Sequence, residues 1–313
     1  MDVSSFTDEQ TQVIQAPIAS RLFLEGPAGT GKTTVGVARL LHLIQSGVPA
    51  NEILVLVPQR TLGKPYSDAL SQPDLLPGGQ ASVLTLGGLG QRMISLFWPA
   101  IYRTAGFAKK NQPPAFLTLE TAQYYMAWLV KPLLEQGFFQ SIKIDRNRLF
   151  SQILDNLNKA AVIGIPHTKV AELLKAAWVG EPAQQHVFEE AQQCANEFRQ
   201  LCLQNNLLDF SLKLEVFILH LWTSFLCREY LTGAYRHLIY DNIEEDVPVV
   251  HDTIQQWLPS FDSALLIYDN DGGYRSFLGA DPQSGKNLQA GCQESFSFAS
   301  SFVHSSPLES FRH

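Results

Sequence analysis

Cysteine is scarce: the 313 residues hold 4, at Cys194, Cys202, Cys227 and Cys292, with no C-x-x-C pair among them. That spacing excludes the usual zinc and iron–sulfur ligand sets, and the four read as reduced, mostly buried thiols. The histidines, His167, His186 and His251 among them, show no spacing that argues for a metal or a catalytic triad. Long apolar runs are missing as well. Each hydrophobic stretch is broken by charge or Pro before it reaches the roughly 20 residues of a bilayer-crossing helix, so no membrane span is predicted. The start, Met1-Asp2-Val3-Ser4-Ser5, has neither the basic head nor the apolar core of a secretory signal, which makes a cytoplasmic location the expectation. An excess of positive charge is also absent. With 23 Lys and Arg against 30 Asp and Glu the net charge is −7, so any nucleic-acid contact has to be local.

What is there is a chain that is 45% hydrophobic, enough for a large α/β core plus a smaller unit. Five short, β-rich apolar runs stand out: Arg21 to Glu25, Ile53 to Val57, Ser82 to Leu86, His237 to Asp241 and Ala264 to Tyr268. Near-continuous hydrophobicity marks strands covered on both faces, and the alternation with helices predicts a parallel sheet. Between about residues 90 and 236 the pattern is helical, in segments such as Thr118 to Leu134, Arg146 to Ala161, Gln184 to Gln204 and Leu212 to Leu231, without a convincing strand. The predicted organisation is therefore a discontinuous sheet domain, 1–95 and 205–282, with a helical subdomain inserted at 96–204. From 283 to 313 the periodicity fades, and this tail reads as weakly structured.

The motif that carries chemistry is Gly26-Pro27-Ala28-Gly29-Thr30-Gly31-Lys32-Thr33, which follows the first strand and opens a helix. The spacing G-x-x-x-x-G-K-[ST] suits a phosphate loop: glycines let the backbone wrap an anion with its N–H groups pointing inward, at the positive end of a helix. Lys32 then reaches the β- and γ-phosphates, the Thr33 hydroxyl is a ligand for Mg²⁺, and Gly26, Gly29, Gly31 and Thr34 complete the ATP contacts. A second element is needed, a strand-end carboxylate on the metal side. Asp241 supplies it, followed by Glu244, Glu245 and Asp246.

Several further segments, in this order, resemble the UvrD/Rep-type superfamily-one helicases. Phe6-Thr7-Asp8-Glu9-Gln10 is similar to that family's adenine-reading motif, with Gln10 at the base-pairing position. Ile53 to Thr61 resembles a strand and loop that touch single-stranded DNA, and Val83 to Leu89 a second one. Leu207-Leu208-Asp209-Phe210 resembles the signature before the acidic motif, and Tyr268 to Ala280 the coupling motif, ending Phe-Leu-Gly-Ala where the family has Phe-Arg-Gly-Ala. The resemblance covers about residues 1 to 282. It implies a RecA-like P-loop NTPase fold, ATP and Mg²⁺ as ligands, and DNA contacts from Pro58, Gln59, Arg60, Thr61, Thr85 and Gly87. Lys64, Tyr66 and Arg92 are further candidates in those loops, and Lys109, Lys110, Lys143, Arg146 and Arg148 on the insert. Tyr124, Tyr125, Trp128, Phe138 and Phe139 fall in apolar helical patterns and read as core.

Three departures matter. The resemblance implies a water-activating Glu directly after Asp241, where this chain has Asn242, and a γ-phosphate-sensing Gln where it has Gly272. An amide cannot take a proton from water, so hydrolysis should be slow unless Glu244 or Glu245 substitutes. The family's second motor domain, with its phosphate-reading Arg, has no counterpart in these 313 residues, so this chain alone is expected not to unwind DNA. The expected role is a helicase-like, DNA-dependent ATPase module of repair or recombination, either a truncated product or one that a separate motor or nuclease polypeptide completes. The alternative is a non-catalytic ATP-binding scaffold within such an assembly.

Overall fold

The computed structural model describes residues 6–71 and 79–303, so the readings made for Met1–Ser5 and for 304–313 lie outside the described residues. The strands are β1 (Arg21–Gly26), β2 (Ile53–Leu56), β3 (Ser82–Leu84), β4 (Ala115–Phe116), β5 (Leu207–Leu208), β6 (His237–Tyr240), β7 (Ser263–Asp269) and β8 (Glu294–Ser297). The helices are α1 (Asp8–Gln15), α2 (Lys32–Gln45), α3 (Lys64–Leu70), α4 (Leu86–Ile101), α5 (Leu119–Glu135), α6 (Arg146–Val162), α7 (Val170–Ala177), α8 (His186–Asn205), α9 (Phe210–Val216), α10 (Phe225–Ala234), α11 (Pro248–Trp257) and α12 (Pro282–Asn287). The chain divides into two compact units, one of residues up to Leu86 and from Glu229 onward, the other Gly87–Arg228.

The first unit is built on a parallel six-stranded sheet in the order β3-β2-β6-β7-β1-β8. Every residue of β2 and of β6 is buried, as their unbroken hydrophobicity requires. On one side the sheet packs with α1, α2 and α3, through Val13, Val35, Leu40, Leu43, Ile239 and Ile267 among others. α1 starts at a capping box: Thr7 Oγ1 accepts from Gln10 N at 3.2 Å, and Thr7 N donates to Gln10 Oε1 at 3.1 Å. Its far end is held by Arg39 of α2, which is 2% exposed and donates to the carbonyls of Ile14 (2.9 Å), Ala16 and Pro17 (2.8 Å). Carbonyls at a helix C-terminus have no partner within the helix, and a buried guanidinium satisfies three of them at once. The same burial lowers the Arg39 pKa to about 10.

The tail differs from expectation. Residues 282–297 form α12, a 3₁₀ turn and β8, and β8 pairs in parallel with β1 at the sheet edge. An edge strand buries little, and in Glu-Ser-Phe-Ser only Phe296 turns toward the core, so its sequence lacks the continuous apolar signal of the inner strands.

The second unit is helical, with α5, α6, α7 and α8 packed together and α9 against α6. Two expectations fail here. A strand pair does interrupt the helices, β4 with β5, but at two residues each it leaves no periodicity to read. The helix expected over 212–231 is broken: α9 passes into a π turn at Phe217–Leu221, closed by Trp222 N to Phe217 O at 2.7 Å, before α10 begins. This unit also reaches past the predicted 96–204. Arg199 of α8, 4% exposed, bonds Asp209 Oδ1 at 3.2 Å and Ser211 Oγ at 3.0 Å, fixing the 207–216 segment to it. On α5 the buried positions are Ala122, Met126, Val130 and Leu133, which puts Tyr124 and Trp128 on the opposite face, 67% and 62% exposed rather than in the core.

Candidate nucleotide site

β1 delivers the chain to the site and α2 leaves it. Gly29 and Gly31 both lie in the left-handed region, at φ 81° and 79°, and Gly31 is the N-cap of α2. Glycine suits that left-handed conformation, and a Cβ on Gly31 would fall 2.9 Å from Gln10 Nε2 and displace the Gln10 amide. The loop thereby presents the positive end of α2, whose N-cap has no side chain, as a cradle that fits phosphate. Lys32 is 6% exposed, and its Nζ donates to Gly26 O and Pro27 O, both at 2.7 Å, and to Asp269 Oδ2 at 3.1 Å.

Asp241 follows β6 directly and is 1% exposed. Its carboxylate accepts from Tyr66 Oη at 2.8 Å and from Asn242 N at 2.9 Å, and is hydrogen-bonded to the Thr33 side chain. Burial raises the Asp241 pKa, opposed by those three donors and by the charge of Lys32. Thr33 and Asp241 thus form a small, all-oxygen donor set that suits Mg²⁺, which keeps most of its water ligands. Tyr66 reaches Asp241 because position 36 is Gly: a Cβ there would stand 2.3 Å from the Tyr66 hydroxyl. Tyr66 was a DNA-contact candidate, and that reading is corrected, since it is fully buried under the nucleotide site.

One pocket gathers Phe6, Gln10, Lys32, Thr33, Thr34 and Asp241, together with Phe302 and Val303. Gln10 Oε1 accepts from Thr7 N and Nε2 donates to Thr30 O at 3.2 Å. An amide has two lone pairs and two hydrogens, so one acceptor and one donor remain, the pair an adenine edge requires. Phe302, also lining the pocket, donates its N–H to Gly29 O at 2.9 Å.

The acidic residues beyond Asp241 have distinct places. Glu245 accepts from Gly273 N at 2.8 Å and from Tyr274 N and Arg275 N, both at 3.0 Å, so its carboxylate caps the turn at Tyr274–Leu278. Asp246 is buried and accepts from Tyr240 Oη at 2.9 Å. Glu244, 1% exposed, accepts from Asp269 N at 2.9 Å through Oε2, while Oε1 lies 3.4 Å from Asn242 Nδ2. Burial raises the Glu244 pKa to about 7. It lines a second hollow with Ala28, Gln59, Asn242, Asp269 and Asp271, sharing Asn242 and Asp269 with the nucleotide pocket.

The sequence profile of the UvrD/REP helicase N-terminal domain matches residues 6–290, most of the chain. The chain belongs to the UvrD/Rep helicase family. No curated protein matches it. Family membership brings an ATP-binding, helicase-type function on DNA.

The two positions read as departures from the UvrD/Rep pattern, Asn242 and Gly272, each have a local setting that suits the residue present. Asn242 adopts φ 59°, a left-handed conformation that Asn tolerates better than Glu. Gly272 leaves room that Glu244 fills, because a Cβ at 272 would stand 2.4 Å from Glu244 Cγ and 2.8 Å from Oε1. The DNA-loop candidates Pro58 and Gln59 are half-buried, and Arg60 and Thr61 are exposed. With its carbonyl turned toward it, Gln59 accepts from Arg275 Nε at 2.8 Å. Thr85 and Gly87, at the end of β3 and the start of α4, are half-buried. Sequence reasoning missed Asp269, Tyr66 and Phe302. For Asp269 a signal existed, a carboxylate closing an apolar strand just as Asp241 does; Tyr66 and Phe302 reach the pocket only through tertiary packing.

Proposed function

We propose that this chain is the ATP-binding part of a DNA-dependent motor of repair or recombination in the cytoplasm, with slow hydrolysis. The observation that carries this reading is the meeting of Lys32, Thr33, Asp241 and Gln10 around one glycine-lined phosphate loop. Thr33 and Asp241 would hold Mg²⁺, Gln10 the adenine, and Lys32 with the loop N–H groups the phosphates. When bound, the metal supplies neutralisation of charge on the phosphates.

The proton of the attacking water needs an acceptor that Asn242 cannot provide. Glu244 takes that role rather than Glu245, whose carboxylate already serves three backbone donors. A carboxyl with a pKa near 7 is a usable base at neutral pH, although its Oε2 accepts from Asp269 N and its Oε1, the oxygen left for water, already accepts a long bond from Asn242 Nδ2. Slow turnover follows from that cramped placement. Among the described residues, Lys32 is the cation lining the nucleotide pocket, which supports a second motor or nuclease subunit as the source of a phosphate-reading Arg. Without it the chain binds ATP and does not unwind. For single-stranded DNA, exposed Arg60 and Thr61 offer phosphate contacts, and Tyr274 and Phe277, 79% and 72% exposed, offer faces for stacking bases.

Steady-state ATP hydrolysis with and without single-stranded DNA tests this reading. The wild type should turn over slowly, faster with DNA, and Glu244→Gln should lose about tenfold or more of that rate. Wild-type-like turnover in Glu244→Gln rejects Glu244 as the base. Tight ATP binding with no turnover in either protein favours a non-catalytic scaffold, which Asn242 already argues for.

A further inference from the structure

The phosphate loop is gripped by carboxylates of its own chain. Asp271 Oδ2 accepts from the backbone N–H of Ala28, inside the loop, at 2.9 Å. Asp269 Oδ2 meets Lys32 Nζ at 3.1 Å, and Asp269 Oδ1 accepts from Asp271 N at 2.8 Å, so the two carboxylates are held as one unit. The following residues are anchored by the three hydrogen bonds to Glu245. Ala28 N–H and Lys32 are groups a phosphate loop turns toward an anion, and the Lys of such a loop serves the β- and γ-phosphates. Two of the loop's anion-binding donors therefore already carry anions.

We propose that Asp271, with Asp269, is an internal stand-in for the terminal phosphate, so that only a nucleoside triphosphate displaces these two carboxylates from the phosphate loop. This rests on the ATP-binding reading of the same site. A diphosphate, held by the α2 end of the loop, leaves the Asp271–Ala28 bond in place. A triphosphate brings its terminal oxygens to Ala28 N and Lys32 Nζ, and like-charge repulsion expels both carboxylates. Asp271 thereby acts as a specificity-determining residue: the free energy of breaking its bond is subtracted from ATP binding and not from ADP binding.

The test is a pair of titrations, Mg²⁺-ATP and Mg²⁺-ADP, on the wild-type chain and on Asp271→Ala, with Asp271→Asn as the variant that keeps the acceptor and drops the charge. Removing a charge-assisted hydrogen bond that competes with the ligand should tighten ATP about tenfold in Asp271→Ala, with Asp271→Asn in between and ADP changed less than about twofold. ATP binding to the variant when the wild type shows none also supports the stand-in. Equal ATP affinity in wild type and Asp271→Ala overturns it alone, as does an equal gain for ATP and ADP. Failure of both proteins to bind either nucleotide overturns it together with the ATP-binding reading.

Discussion

Single residues decide the chemistry of the site, and Glu244 shows how. Its carboxyl titrates near 7 in the folded chain against an ordinary 4.5, because burial penalises the charged form. Between those two values the folded state holds the proton that the unfolded state has released, so this group's contribution to stability is full below about pH 4.5. It is lost as pH rises toward 7. Glu244→Gln keeps an acceptor for Asp269 N and cannot ionise. Denaturant melts from pH 4 to 8 should show the variant flatter than the wild type across that window and more stable at pH 8, by at most about 3 kcal/mol. A wild-type slope unchanged in the variant would assign the pH dependence elsewhere. Much of this scale was legible in the sequence, since Gly29, Gly31, Lys32, Thr33 and Asp241 meet as their spacing implies. The different fates of Glu244 and Glu245 were not legible. Their sequence environment is alike, and only the path of 269–275 gives Glu244 one backbone N–H partner and a buried carboxyl and Glu245 three N–H partners.

Among the elements, α1 carries Gln10 to the pocket, and Arg39 is what fixes its end. Replacing Arg39 with Met keeps much of the apolar stem but leaves the carbonyls of Ile14, Ala16 and Pro17 without their buried donor. We expect a loss of about 2 to 3 kcal/mol in a urea melt, together with weaker ATP binding, as α1 loosens. Unchanged ATP affinity in a folded Arg39→Met chain would show that α1 does not depend on this anchor. The inner strands announced themselves because burial on both faces demands unbroken apolar residues. β8 did not, as an edge strand with one inward Phe, nor did β4 and β5 at two residues apiece. The π turn at Phe217–Leu221 was equally hidden, because the apolar spacing around it still reads as one helix.

At the scale of the whole chain, the candidate nucleotide residues fall in one of the two units. The sheet unit contains each residue named for ATP and Mg²⁺, from Gln10 to Asp241, as well as the Asp269–Asp271 grip on the phosphate loop. The helical unit is held by its own buried network around Arg199 and Asp209. Its insertion between β3 and β6 was visible in the sequence as a change from strand-like to helical periodicity. Its extent was not, since the Arg199–Asp209 pair that ties 207–216 to it is a tertiary contact.

The most direct measurement is calorimetric titration of Mg²⁺-ATP into this chain and into Lys32→Ala, each checked for an intact fold by circular dichroism. A phosphate loop built as described should bind ATP saturably in the wild type, with affinity reduced at least about tenfold in Lys32→Ala. Equal affinity in the two proteins, or no ATP binding by the folded chain even when Asp271 is replaced by Ala, would contradict the assignment of this loop as the nucleotide site.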